Sequence, residues 1–388
     1  MARPLAGMNE LVDRAHAETG VGSFNSDTYR EGLEILLKDA AANQQHTEQG
    51  RDTLEASVVD NLSKRLLVEQ YVRDHPEVTK EEIRSPVMVM GMPRTGTTLV
   101  SNLLACDPAR RSLLQWELQA PIPPAEAGML KTDPRVLAML EAEAEMKRTN
   151  PAAARFYRSS AVYPTECIFI HSHDFRSLFW ESVGPLPGYA EYMLGVDMTA
   201  PYAYQRLFLQ VLQHQNPGVW NLKMPSHSLH IRYMLQEFPD ARMVWTHRDP
   251  YTAMSSLCSL IGNSHLRVLA EADKAWIGRN YPRQIAAHWQ RAHAMRQEIG
   301  QDRIYDSHYA DTMRDPIGQM RRLYAWLGDD FTPEAEAAMS AWLAENPQGK
   351  FGQHEYQLAE FGLSVDSLKP YFDDYRATYN IESEGKGQ

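Results

Sequence analysis

Residues 86–104 restrict this chain more than any other stretch. Pro86-Val87-Met88-Val89-Met90 is apolar, too short for a helix and closed by Gly91, so it reads as a buried strand. Gly91-Met92-Pro93-Arg94-Thr95-Gly96-Thr97-Thr98 follows without a gap, and Leu99, Leu103 and Leu104 then recur at helical spacing. A strand, G-x-x-x-x-G and two small hydroxylic residues opening a helix form a phosphate-loop pattern. Such a loop cradles phosphate or sulfate on its backbone N–H groups, helped by the positive end of the helix. Thr97 stands where nucleotide triphosphatases carry the lysine that reaches the β- and γ-phosphates beside magnesium. The loop therefore points away from ATP and GTP, with Arg94 supplying a cation from inside it. A plain turn without ligand is the competing reading, and the Thr97-Thr98 pair weighs against it.

The remaining pattern predicts an α/β fold. Residues 219–222, 242–246 and 304–307 are apolar or β-favouring and mostly separated by helical stretches, as in a parallel sheet. The expected architecture is a phosphate-loop three-layer sandwich around that sheet. Upstream, Tyr29, Leu33, Leu36 and Leu37, then Val58, Leu62, Leu66, Leu67 and Val68, recur at helical spacing, with Asp27 and Thr28 placed to cap the first helix. Residues 1–84 are thus expected to be a helical attachment to an α/β unit of residues 85–388. Residues 133–155 read as a helix, whereas 185–204, loaded with Pro, Gly and Tyr, read as an irregular lid or pocket wall.

Composition sets outer limits. A formal net charge of −11 argues against broad binding to nucleic acid or anionic membranes, which needs a basic face. An anionic small molecule is still admissible, because it feels a few local Arg, Lys and N–H groups. Cys106, Cys167 and Cys258 are an odd number with no C-x-x-C pair, which suggests small buried residues rather than a disulfide framework or zinc site. The first 27 residues mix charges through every window, and no stretch is apolar for the roughly 18 residues of a spanning helix. A cytoplasmic protein without a membrane span is expected.

Pro93-Arg-Thr-Gly-Thr-Thr-Leu99 resembles the 5′-phosphosulfate loop of sulfotransferases that use 3′-phosphoadenosine-5′-phosphosulfate (PAPS), whose usual form is P-[KR]-[ST]-G-[ST]-[ST]. The resemblance implies that Arg94, Thr95, Gly96, Thr97 and Thr98 contact the 5′-phosphate and the sulfate. A second stretch, residues 238–250, runs a strand into a loop at Arg248, with Ser256 eight residues further on. That is the edge of a parallel sheet where ligands bind, and an arginine with a nearby serine can grip a phosphate. An ion pair with Asp249 or Asp240 is the competing use of Arg248. The stretch resembles the family's 3′-phosphate motif, which carries Arg248 and Ser256 over to that role. His308-Tyr309-Ala-Asp311, Asp315-Pro316 and Leu327-Gly328 resemble a later family stretch and make Tyr309 a candidate adenosine contact. Lys350, in Gly349-Lys-Phe-Gly-Gln-His354, fits the family's basic terminal loop in kind. The resemblance spans residues 86–328, with a weaker extension to 362.

Sulfuryl transfer needs a nucleophile relieved of its proton, in-line geometry and positive charge on the oxygens of the breaking bond. Lys223, at the end of a predicted strand, resembles the family's catalytic lysine and would stabilise the leaving group. Small-molecule members place a histidine two residues later as base; Pro225 stands there, and the next imidazole is His227. Tyrosylprotein-type members use a glutamate downstream of the loop. Glu117 lies near that place beside Trp116, Leu113, Leu114 and Leu118, apolar neighbours that would raise its basicity. Glu117 is the favoured base and His227 the second. Glu166, His171 and His173 fall in an aromatic-rich segment expected to line the acceptor site. A metal on His171 and His173 is not expected, because positions two apart on a helix diverge and this transfer needs none. The implied cofactor is PAPS, leaving as adenosine 3′,5′-bisphosphate, and the implied partner is a small acceptor such as an aromatic or apolar alcohol. The alternatives are an ATP-using phosphotransferase and a catalytically silent nucleotide-binding module. The helical attachment could pack on a second copy as easily as on its own domain.

Overall fold

β1 (Val87–Gly91) is buried at every position, and that dictates its place in the middle of the sheet. In the computed structural model, which describes residues 3–149, 160–347 and 357–384, it pairs in parallel with two neighbours. Four more strands complete the sheet among the described residues: β2 (Arg110–Ser112), β3 (Val219–Lys223), β4 (Arg242–His247) and β5 (Ile304–His308), in the order β2-β3-β1-β4-β5. The chain runs from β1 to one edge, returns through β3, crosses β1 and continues to the other edge. β1 is therefore the point where strand order reverses, and the crevice at its carboxyl end is where such sheets take ligands.

Side chains alternate across the sheet. Met88, Met90, Trp220, Leu222, Met243 and Trp245 join a core that also holds Leu33, Leu36, Leu54, Val58, Leu62 and Leu66 of the N-terminal helices. Val87, Val89 and Val244 face Val100, Leu103 and Leu104 of the helix after the loop, together with Met320, Leu323 and Met339. The result is the expected three-layer α/β sandwich. α1 (Met8–Thr19), α2 (Tyr29–Ala42) and α3 (Glu48–Asp74) precede the sheet, and α4 (Thr97–Ala105) follows the loop. A buried ion pair joins these helices to the segment after Glu166: Arg65 of α3 bonds the Asp174 carboxylate, and its Nε donates to Glu69 Oε1 at 2.9 Å.

Several expectations are corrected. Thr28 sits at the start of α2 without capping it; its hydroxyl donates to Asp174, and Asp27 accepts from Arg30 Nε at 2.9 Å. Residues 185–204 are mostly helical, as Pro187–Gly195 and the start of Thr199–Gln213. Pro187 and Pro201 fall in first turns, where a missing N–H costs nothing, so they open helices rather than break them. Tyr189, Tyr202 and Tyr204 are buried, so this segment is core wall and not a lid. The helix expected over 133–155 runs from Pro134 to Thr149, beyond which the residues lie outside the described set. β2 escapes sequence reading because Arg-Arg-Ser is short and polar. No helix among the described residues is long and apolar enough to cross a membrane.

Candidate functional site

The loop residues, Lys223, Arg248 and Tyr309 all come from carboxyl ends of strands, so the fold gathers at one edge what the sequence spreads over more than two hundred residues. Gly96, with φ 99°, forms the N-terminal cap of α4, and a Cβ there would stand 2.8 Å from Tyr309 Cδ2. Only glycine meets both conditions, an open backbone conformation and a ring pressed on its face. The Arg248 guanidinium lies 4.2 Å from the centroid of the same Tyr309 ring. Arg94 adopts φ 70°, its carbonyl accepts from Arg248 Nη1 at 3.1 Å, and its Nε donates to Ser256 Oγ at 2.9 Å. Arg94, Gly96, Arg248, Ser256 and Tyr309 are thereby one contiguous group.

The hydroxyls of the loop divide by direction. Thr95 is buried; its Oγ1 donates to Met92 O at 2.6 Å and lies 2.6 Å from Thr246 Oγ1, clipping the loop to β4. That hydroxyl has no capacity aimed at a ligand, so any contact by Thr95 must come from its backbone. Thr97 is buried as the first residue of α4, while Thr98 is exposed and its Oγ1 accepts from Lys223 Nζ at 3.4 Å.

Lys223 ends β3 with its side chain almost covered and bonds the carboxylate of Glu166. The contact is set by the backbone, because Cys167 N–H donates to Lys223 O at 2.9 Å and holds Glu166 beside the strand end. Glu166 keeps part of its surface open, with 29% of the side chain exposed against 5% for Lys223. Partly exposed Tyr163, Ile168, Phe169 and Phe179 accompany it in the chain. A cation, a carboxylate and a loop hydroxyl thus meet at the mouth of the crevice.

The other candidates lie elsewhere. Glu117 is not a carboxylate among apolar neighbours: it is 1% exposed and both oxygens are engaged. Arg111 of β2 forks onto them, with Nη1 to Oε2 at 2.9 Å, and Leu114 N–H donates to Oε2 at 3.2 Å. Hydrophobic neighbours in sequence gave no hint of an arginine arriving from an edge strand. His227 is fully buried, with Nδ1 2.8 Å from Tyr202 Oη, and it makes no bond to Lys223. Burial, then the His171 and His230 imidazoles, hold it neutral, well below the ordinary histidine value. His171 and His173 do not line an open site. Nε2 of His171 lies 2.7 Å from Gln205 Oε1, Nδ1 of His173 lies 3.1 Å from Tyr204 Oη, and both rings are buried. Burial pushes His171 down to about 4 and His173 well below its usual value. Lys350 lies outside the described residues. Cys106, Cys167 and Cys258 are free thiols that burial pushes up to about 11, 12 and 12.

One partner was not foreseen. Arg248 pairs with neither Asp249 nor Asp240; its Nε and Nη2 donate to the two carboxylate oxygens of Glu384 at 2.7 and 2.8 Å. Asp240 instead accepts from Ser85, and Asp249 from the Tyr251 and Glu384 N–H groups. No pattern in the sequence links Glu384, near the chain's end, to a strand in its middle.

Known proteins resemble this chain in sequence and in fold. Residues 86–333 match the model of the sulfotransferase family. The crystal structure of sulfotransferase STF9 from Mycobacterium avium is 41% identical, with a TM-score of 0.93 over 98% of this chain and 99% of that one. Sulfotransferase STF1 from Mycobacterium tuberculosis H37Rv is 28% identical, with a TM-score of 0.85 over 95% of this chain and 99% of that one. The omega-hydroxy-beta-dihydromenaquinone-9 sulfotransferase Stf3 of Mycobacterium bovis is 26% identical over 258 residues, 63% of this chain. The chain spans 62% of the length of that curated relative. The matched span begins one residue before β1, runs past β5 and takes in the loop, Lys223, Arg248 and Tyr309, and on that ground the chain belongs to the sulfotransferase family.

Proposed function

We propose that this protein transfers the sulfuryl group of PAPS to a hydroxyl, or an amine, of a small acceptor, with Glu166 as the general base. The contact between Lys223, Glu166 and Thr98 carries the reading. The residues suit the donor: the N–H groups at the start of α4 and Arg94 for the 5′-phosphosulfate, Arg248 and Ser256 for the 3′-phosphate, and the Tyr309 ring for the adenosine. Family membership sets the ATP-using alternative aside, and the intact Lys223–Glu166 pair weighs against a silent binding module. The start of the family match at residue 86 also supports taking 1–84 as an attachment to an 85–388 unit.

In the step itself, the acceptor O–H gives its proton to a Glu166 oxygen as its own oxygen bonds to sulfur. The bond from sulfur to the 5′-phosphate oxygen breaks, and adenosine 3′,5′-bisphosphate leaves. The Lys223 ammonium would take up the negative charge that gathers on that departing oxygen, with Thr98 adding a hydroxyl. Glu166 replaces Glu117 in this role, because the latter's oxygens are held by Arg111 and its surface is closed. His227 is bonded to Tyr202 rather than to the lysine. The name of the Stf3 relative and the partly exposed aromatic and aliphatic residues around Glu166 favour an apolar acceptor bearing a hydroxyl.

Isothermal titration, run once in EDTA and once with magnesium, tests the donor. Selective binding of adenosine 3′,5′-bisphosphate over ADP and ATP is expected, followed by transfer from labelled PAPS to hydroxylated isoprenoids or phenols. A preference for magnesium-ATP would refute the reading.

A further inference from the structure

The C-terminal segment is fastened onto the 3′-phosphate end of the crevice at successive points. Tyr379 stacks on His247, the last residue of β4, with ring centroids 4.5 Å apart. Ile381 is buried, and its N–H donates to Arg376 O at 2.9 Å. Glu384 N–H donates to Asp249 Oδ2 at 2.9 Å, which aims its side chain back at Arg248. Its carboxylate then takes the Nε and Nη2 edge of that guanidinium, while Nη1 is held by the Arg94 carbonyl.

A fork of two parallel N–H···O bonds is how arginine receives either a carboxylate or a phosphate. The Nε–Nη2 edge cannot serve both at once. We propose that Glu384 is a built-in stand-in for the donor's 3′-phosphate: the tail closes that subsite when it is empty, and nucleotide must displace it to bind. A 3′-phosphate brings up to two negative charges against the carboxylate's one, so it wins the guanidinium and then repels the displaced glutamate. The same contact re-forms behind the departing bisphosphate product, so the tail lowers affinity for donor and product alike. The inference rests on the donor-site reading given above and adds to it a competitor carried by the chain itself.

The test compares wild type, Glu384→Gln and, as a control on the same tail, Glu382→Gln. Each is titrated with adenosine 3′,5′-bisphosphate and with adenosine 5′-phosphate, which lacks the 3′ group. Glu384→Gln is expected to bind the bisphosphate about tenfold more tightly, the scale of a charge-assisted pair no longer broken on binding, with adenosine 5′-phosphate unchanged. Glu382→Gln should match wild type with both. Equal bisphosphate affinity in all three proteins overturns the proposal, and so does an equal gain with both nucleotides, which would make the tail a general lid. Failure of wild type to prefer the bisphosphate over adenosine 5′-phosphate defeats the donor reading itself, an outcome distinct from either.

Discussion

Replacing Glu166 by Gln separates the base from every other candidate. The amide keeps an oxygen where Lys223 donates and keeps the side-chain volume, so the strand end, the loop and the donor subsites stay as they are. What is lost is the capacity to accept the acceptor's proton. General-base assistance is worth about 10²–10⁴-fold, or roughly 2.7–5.4 kcal/mol of barrier. The expected result is a fall in kcat of that size with affinity for adenosine 3′,5′-bisphosphate unchanged, measured by single-turnover transfer from labelled PAPS beside titration. Glu117→Gln supplies the contrast. It breaks a buried fork with Arg111, which costs roughly 3 kcal/mol of stability, yet turnover per folded molecule should stay near wild type. A Glu166→Gln enzyme with full kcat, or a Glu117→Gln enzyme that is folded but inert, would refute the assignment.

Arg248→Ala should weaken adenosine 3′,5′-bisphosphate about 10- to 100-fold more than adenosine 5′-phosphate, the worth of hydrogen bonds to a charged group beyond the Tyr309 and Arg94 contacts that the same guanidinium makes; equal losses in a titration with both would remove Arg248 from the 3′ subsite. Gly96→Ala forces a Cβ against Tyr309 at φ 99°, so a strain of about 1–3 kcal/mol should lower both the melting temperature and nucleotide affinity, and an unchanged protein would contradict the packing. Burial raises the Glu181 carboxyl to about 7, with Gln284 Nε2 donating to it at 2.6 Å. Between its unfolded value near 4.5 and about 7 the folded state holds the proton more tightly, so stability falls as pH rises through that window, by up to ~3 kcal/mol. Glu181→Gln should flatten that part of a urea-denaturation pH profile; an unchanged slope would place the titration elsewhere.

The strands at 87–91, 219–223, 242–247 and 304–308 were legible because a buried parallel strand must be a short apolar run, and the loop because its glycine spacing and threonine pair are chemically demanding. Lys223 and Arg248 were legible as charges stranded at strand ends. Glu166 was seen only as part of an acceptor segment, since its contact with Lys223 depends on the Cys167 N–H folding back onto β3. Glu117 misled because sequence neighbours report the local chain, whereas Arg111 reaches it from the edge strand. His171 and His173 read as acceptor-site residues because they sit in an aromatic-rich segment, but they are turned inward onto Gln205 and Tyr204 of the helix Thr199–Gln213. The Glu384 contact joins points 136 residues apart and leaves no periodic trace.

Strand register is itself part of this chemistry. Lys223 lies opposite Val89, and Met224 N–H bonds Val89 O at 3.1 Å, which fixes β3 against β1. On β3, Trp220 and Leu222 project into the larger core, and Lys223, next in the alternation, turns to the side of α4 and Thr98. A slip of one residue would put Met224 at the lysine's station and turn Trp220 and Leu222 out of their core. The lysine therefore cannot drift without unburying an indole and an isobutyl group, each worth about 1.5–3 kcal/mol or more. The force that aims the Lys223 ammonium at Thr98 and Glu166 is water's exclusion of a tryptophan on the far side of the sheet.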